Sequence, residues 1–116
     1  MDVINDVHLV GRVSAEPTRR DLPSGDVLVT VRVVVPRPPV AIPVEGRRPA
    51  SIDTIEVACF SGPTRRSAGA IRVDDTVEVW GALRRRFFRT GASVQSRYEV
   101  EATRLKRRKA PVEASQ

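Results

Sequence analysis

The side chains with the most chemical potential in this 116-residue chain are its arginines. Eighteen of the 20 basic residues are Arg, and only Lys106 and Lys109 are Lys; against 14 Asp plus Glu the formal net charge is +6. A planar guanidinium offers phosphate a rigid fork of donors and offers a base a flat face, which an ammonium does not. An Arg-rich basic domain of this size points to nucleic acid, although a GC-rich genome also enriches Arg at the expense of Lys. Three Phe, one Trp and one Tyr supply flat rings. Unpaired nucleotides present phosphates and bare base faces, so rings set among guanidinium groups are the side chains that can hold them.

Other chemistries are poorly supplied. A single His, His8, and a single Cys, Cys59, exclude an internal disulfide and the usual Cys/His zinc sets. His8 lies among apolar neighbours and reads as a hydrogen-bonded strand or interface histidine. Cys59 alternates with Val57 toward a core and reads as a small buried hydrophobe. Asp74 and Asp75 are adjacent on a turn, where their carboxylates diverge. No glycine-rich phosphate loop or H-E-x-x-H helix is present. The expectation is a protein that is not an enzyme and uses no cofactor and no metal. No apolar run approaches the ~20 residues of a membrane span, and the acidic start Met1–Asp6 has no secretory apolar segment. The expected location is cytoplasmic and nucleoid-associated, with no membrane partner.

The elements that must position these groups are strands. Val7–Val13 is an apolar run broken by Gly11. Val27, Val29, Val31, Val33 and Val35 recur with period two, which is the pattern of a half-buried strand. Ile52–Phe60 alternates Ile55, Val57 and Cys59 against Thr54, Glu56, Ala58 and Phe60. Val77, Val79, Gly81 and Leu83 alternate with Glu78, Trp80, Ala82 and Arg84. Ser96–Leu105 is a fifth run with Tyr98, Val100 and Ala102 on its inner side. Between the third and fourth, Thr64–Arg72 reads as a short helix started by Ser61 or Thr64, with Ala68 and Ile71 inward. Pro23–Asp26 is a tight turn and Arg89–Ala92 a hairpin tip. Residues 36–51 hold five prolines and three arginines, so they form an extended basic loop rather than a central strand. Five strands with one short helix between strands three and four is the order of an all-β OB-fold barrel. The domain is expected over residues 1–106, and residues 107–116 read as a basic to polar disordered tail.

Four segments resemble the bacterial single-stranded DNA-binding protein family: Ile4–Val13, Glu16–Gly25, Val57–Phe60 and Val77–Phe88, in the family's order and spacing. The resemblance spans roughly residues 3–106. It implies an OB-fold, single-stranded DNA as partner and a homotetramer. Phe60 and Phe88 match the family's stacking positions and alternate away from the core faces. Arg84 and Arg86 share the face of Phe88 and match positions near the DNA backbone. Arg89 and Arg97 flank the hairpin tip, and Arg37, Arg47 and Arg48 lie on the Pro-rich loop. These nine residues are the expected DNA contacts. Trp80 reads equally well as a subunit contact or a DNA contact, and Tyr98 as packing at the edge of the core. Arg65, Arg66 and Arg72 read as charges on the helix side.

The chain also departs from the family. Thr54 stands where a Trp is common, Ile55 where a His is common, and residues 111–116 do not form the acidic tip with a terminal aromatic that recruits other proteins. The expectation is a short paralogue that binds single-stranded DNA without sequence preference in replication, recombination or repair, without that recruitment. An alternative is a structural or protein-interaction subunit of the primosome kind with weak nucleic-acid binding. A third, an RNA-binding module, is allowed by the charge.

Overall fold

The computed structural model describes residues 2–38 and 51–108. Seven elements follow in order: β1 (Val7–Val13), β2 (Thr18–Asp21), β3 (Val27–Pro36), β4 (Ile52–Cys59), α1 (Gly62–Gly69), β5 (Thr76–Thr90) and β6 (Ser93–Arg108). The strands lie in the order β1-β5-β6-β4-β3-β2, and an added β1–β3 pairing closes the first five into a barrel. All pairs are antiparallel except β4–β6, which is parallel at Val57↔Val100 and Ala58↔Glu101. This is the OB-fold expected from the order of elements. The expectation of five strands is amended by β2, an edge strand paired to β3 outside the closed barrel. Its four residues are all exposed, so it has no apolar period to read.

Alternation builds the core. Val31 and Val33 of β3, Val57 and Cys59 of β4, and Val77 and Val79 of β5 are fully buried, and Val13, Val100, Ala102 and Leu105 complete the interior. β-branched side chains suit a pleated surface packed on one face. The helix covers one end of this interior. Ser61 is its N-cap and accepts from the Thr64 amide at 3.2 Å, a contact of about 1 kcal/mol. Pro63 stands in its first turn, where the missing amide hydrogen is not needed. The helix begins and ends slightly before the expected Thr64–Arg72. Ala68 and Ile71 are buried as expected.

Two glycines mark where strands come too close for a side chain. A Cβ on Gly11 would lie 2.5 Å from the Val34 carbonyl oxygen, where β1 turns from β5 toward β3. A Cβ on Gly81 would lie 2.1 Å from the Glu101 oxygen, at the irregularity that breaks the β5–β6 register. There β6 carries one extra residue, Thr103, between Arg104 opposite Trp80 and Ala102 opposite Gly81. The bulge turns Leu105 inward three positions after Ala102. Beyond it, β5 and β6 run on as a two-stranded arm to the tip at Thr90 and Ser93. β6 also continues through Lys106–Arg108, paired with Thr76–Glu78, where the sequence alone suggested that the strand pattern ends. The expected loop and tail lie mostly outside the described residues.

Candidate nucleic-acid interface

One outer face of the barrel is concave. Arg20 of β2, Leu28, Thr30 and Arg32 of β3, and Glu56 and Ala58 of β4 point to it, with Phe60 just past β4. Arg86 and Phe88 of β5 and Arg97 and Glu99 of β6 form the other bank. Together they line a groove of about 690 Å³. Both expected stacking rings are therefore on the outside: Phe60 is half-buried and Phe88 is 38% exposed. Cys59, the neighbour of Phe60, faces inward and is fully buried. Desolvation pushes its thiol up to about 11, opposed by a hydrogen bond with Thr64, so it is protonated and unreactive at neutral pH.

The Phe60 end is locked. From the helix, Arg65 donates to the Phe60 carbonyl and, at 3.5 Å, to that of Val27, which fixes the backbone as it leaves β4. The Arg86 guanidinium lies 4.7 Å from the centre of the Phe60 ring. It is itself held by two carboxylates: Nη2 donates to Glu101 Oε1 at 2.8 Å, and Nε lies 3.0 Å from Glu99 Oε2. Arg86 thus orients Phe60 and is already neutralised.

The Phe88 end is loose by comparison. Arg97 lies 5.3 Å from the Phe88 ring centre. Arg20, Arg89 and Arg97 have no carboxylate within ion-pair distance among the described residues. They are the groove cations with an uncommitted charge. Arg32 is paired with Glu56 at 2.9 Å, and Arg19 lies 3.7 Å from Asp21.

Of the nine expected contacts, Phe60, Phe88, Arg86, Arg89 and Arg97 come together in this groove. Arg84 and Arg37 do not line it. The Arg84 Nε lies 3.7 Å from Glu101, behind Arg86. Arg37 donates to Asp53 at 2.7 Å, an exposed pair that holds the Asp53 carboxyl below its ordinary range and raises the guanidinium. Arg47 and Arg48 lie outside the described residues. The sequence reading missed Arg19, Arg20 and Arg32. The signals that point to them are an adjacent basic pair between Pro17 and Pro23, and the single charge on the outward period of β3.

Trp80 is not in the groove. It lies on the outer face of β1, β5 and β6, stacked on His8 at 5.1 Å with Arg104 4.7 Å from its ring centre. His8 Nε2 meets Glu78 Oε2 at 2.5 Å, as expected of a hydrogen-bonded strand histidine. Tyr98 corrects its expectation: it is 60% exposed rather than at the core edge, because β6 has left the barrel at that point. Asp74 and Asp75 diverge to Arg12 and Arg107 respectively. Among the described residues no three His, Cys, Asp or Glu side chains cluster to hold a metal, and no helix is long and apolar enough to cross a membrane.

A closed OB barrel with aromatic rings in a cationic groove on its outer sheet face defines a nucleic-acid-binding class of domain. Over residues 4–107 the chain matches the Single-strand binding protein family, and it belongs to that family. Proteins of this family bind DNA and are not enzymes. Among solved structures it is similar to a Plasmodium falciparum SSB in complex with ssDNA, with a TM-score of 0.74 and 18% identity over 94% of this chain and 98% of that one. It is also similar to a deletion mutant of the single-stranded DNA binding protein from Thermus aquaticus, with a TM-score of 0.71 and 19% identity over 91% of this chain. The match covers 51% of the Thermus aquaticus chain. At these identities the likeness speaks for the fold. No curated protein matches the chain.

Proposed function

We propose that this protein binds single-stranded DNA without sequence preference, stacking bases on Phe60 and Phe88 and holding phosphates with Arg20, Arg89 and Arg97, in replication, recombination or repair. The observation that carries the reading is the position of the two phenyl rings. Both sit outside the core, in one groove, each beside a guanidinium. Family membership supports the same partner, and the Plasmodium falciparum SSB is known in complex with ssDNA. Each stacked base contributes about 1–3 kcal/mol. Two per subunit give modest binding, so several subunits must act together to bind tightly.

A homotetramer supplies that multiplicity. β1 pairs with β5 over Val7–Arg12 but meets β3 only at Arg12 and Val13. The edge at Val7–Val10 is therefore open among the described residues, and Val3 and Ile4 before it are 86% and 84% exposed. An unpaired edge with apolar neighbours favours a second copy. Sedimentation equilibrium tests the state; a monomer at micromolar concentration removes this part of the proposal.

The carboxylates Glu56 and Glu99 in the groove favour a second reading, an interaction subunit with weak nucleic-acid binding. Salt-dependent titration with oligo(dT), oligo(rU) and duplex DNA in parallel separates the two. The first reading expects oligo(dT) to bind best, with a linear log–log salt dependence. Equal, weak binding to all three favours the second.

A further inference from the structure

The β5–β6 arm has two faces, and only one belongs to the groove. The other carries Leu83, Arg85, Phe87 and, at the rim it shares with the groove, Arg89 from β5, with Val94 and Tyr98 from β6, set by the pairs Arg85↔Tyr98 and Arg89↔Val94. Phe87 is 64% exposed, Val94 62% and Tyr98 60%. Arg85 joins the two rings: its guanidinium carbon lies 4.9 Å from the centre of Phe87 and 5.5 Å from that of Tyr98. Its Nη2 also donates to Ser96 at 3.2 Å. The carboxylates at the base of the arm, Glu99 and Glu101, are turned to the groove side by Arg84 and Arg86. This far face thus has rings and an uncommitted cation, with no acid among the described residues to repel a phosphate.

We propose that the far face of the arm is a second nucleobase-stacking surface, on which single-stranded nucleic acid leaving the groove at Phe88 lays further bases against Phe87 and Tyr98 while Arg85 holds the phosphate between them. The proposal rests on the reading of the groove as a path for single strands. Continuity supports it, because Phe87 and Arg89 at the end of the arm also border the groove, so a strand can turn round the arm without crossing apolar core. Charge argues against a second copy as the occupant. A twofold contact brings a patch against itself, so two copies would bring two Arg85 guanidinium groups into one interface, with no carboxylate on this face among the described residues to offset them. Rings and guanidinium together suit a ligand that alternates flat bases with anions.

The test uses the full chain and two lengths of oligo(dT): about 8 nucleotides, within the reach of one OB fold, and about 30, long enough to turn round the arm. Tyr98→Ala, a change outside the groove lining, is expected to bind the short oligonucleotide within about twofold of the parent and the long one about fivefold or more weakly. A direct readout places the only tryptophan on the far face, as Tyr98→Trp in a Trp80→Phe background. Its emission is expected to be quenched by the long oligonucleotide and not by the short one. Unchanged affinity for both lengths, or a Tyr98→Trp emission indifferent to the long one, overturns the proposal. So does a fall in oligomeric mass of the Tyr98→Ala variant by light scattering, which assigns the face to a subunit contact. If the parent protein itself binds neither oligonucleotide, the reading of the groove fails and the far face fails with it. That outcome is distinct from the others because it appears before any substitution.

Discussion

The two ends of the groove present the same pair of groups, a phenyl ring and a guanidinium, under opposite constraints. At the barrel end, Arg86 is clamped by Glu99 and Glu101, and Arg65 holds the backbone at Phe60. At the arm end, Arg97 has no carboxylate within ion-pair distance among the described residues, and Phe88 stands on a hairpin outside the core. A clamped cation orients a ring without adding to the field that attracts DNA. A free one adds to the field and can move aside for a base. The contrast teaches that counting arginines overstates the charge the groove presents. What counts is which guanidinium groups lack a carboxylate.

The contrast can be broken at the rings first. Phe60→Ala/Phe88→Ala is expected to weaken oligo(dT) binding by about 2–6 kcal/mol, one base at each ring, with circular dichroism unchanged because both side chains lie outside the core. Fluorescence anisotropy at fixed salt measures it; binding equal to the parent makes the two rings structural. The seal beneath the barrel end comes next. Cys59 has its pKa raised from 9.0 to about 11 on folding, so the folded state holds the proton more tightly than the unfolded one. That stability is fully present below about pH 9 and falls as pH rises toward 11, by about 2–3 kcal/mol in all. Urea melts across this range are expected to show the loss, and Cys59→Ala to flatten it. A slope identical in the variant shows that other groups carry it.

Smaller effects sharpen the same comparison. With three groove cations uncommitted among the described residues, each neutralising a phosphate, the log–log salt slope for oligo(dT) is expected near −2, at about −0.7 per phosphate. Arg97→Ala should bring it about 0.7 closer to zero. An unchanged slope means that Arg97 does not meet a phosphate. The smallest expected change comes from Glu99→Gln, which frees one side of Arg86 and should tighten binding about two- to fivefold at low salt, an advantage that fades as salt screens it. Weaker binding from this substitution would mean that the clamp on Arg86 is needed to place Phe60.

Much of the barrel was legible because its signals are local. The valine alternation of β3 identified Val31 and Val33 as core, and Ser61 with Pro63 marked the start of the helix. The outward direction of Phe60 followed from that of Cys59 one residue earlier. Other features had no local signal. The bulge at Thr103 is needed because β5 and β6 must bend together where Gly81 meets the Glu101 carbonyl, and it moves Leu105 off the period that places Val100 and Ala102. Tyr98 carries the right phase for the core but lies beyond the point where the strands leave it. The pairing of Arg37 with Asp53, and of Arg86 with Glu99 and Glu101, joins residues 13 to 16 positions apart, which no spacing rule picks out.

By itself the sequence determined which residues alternate, where the chain turns, and that a basic, ring-bearing β-barrel results, because these follow from side-chain period and backbone preference within a few residues. Only the tertiary structure decided which cations stay uncommitted and which rings face outward on both sides of the arm. Charge neutralisation and exposure depend on neighbours brought across the sheet, and the closure of the barrel chooses those neighbours.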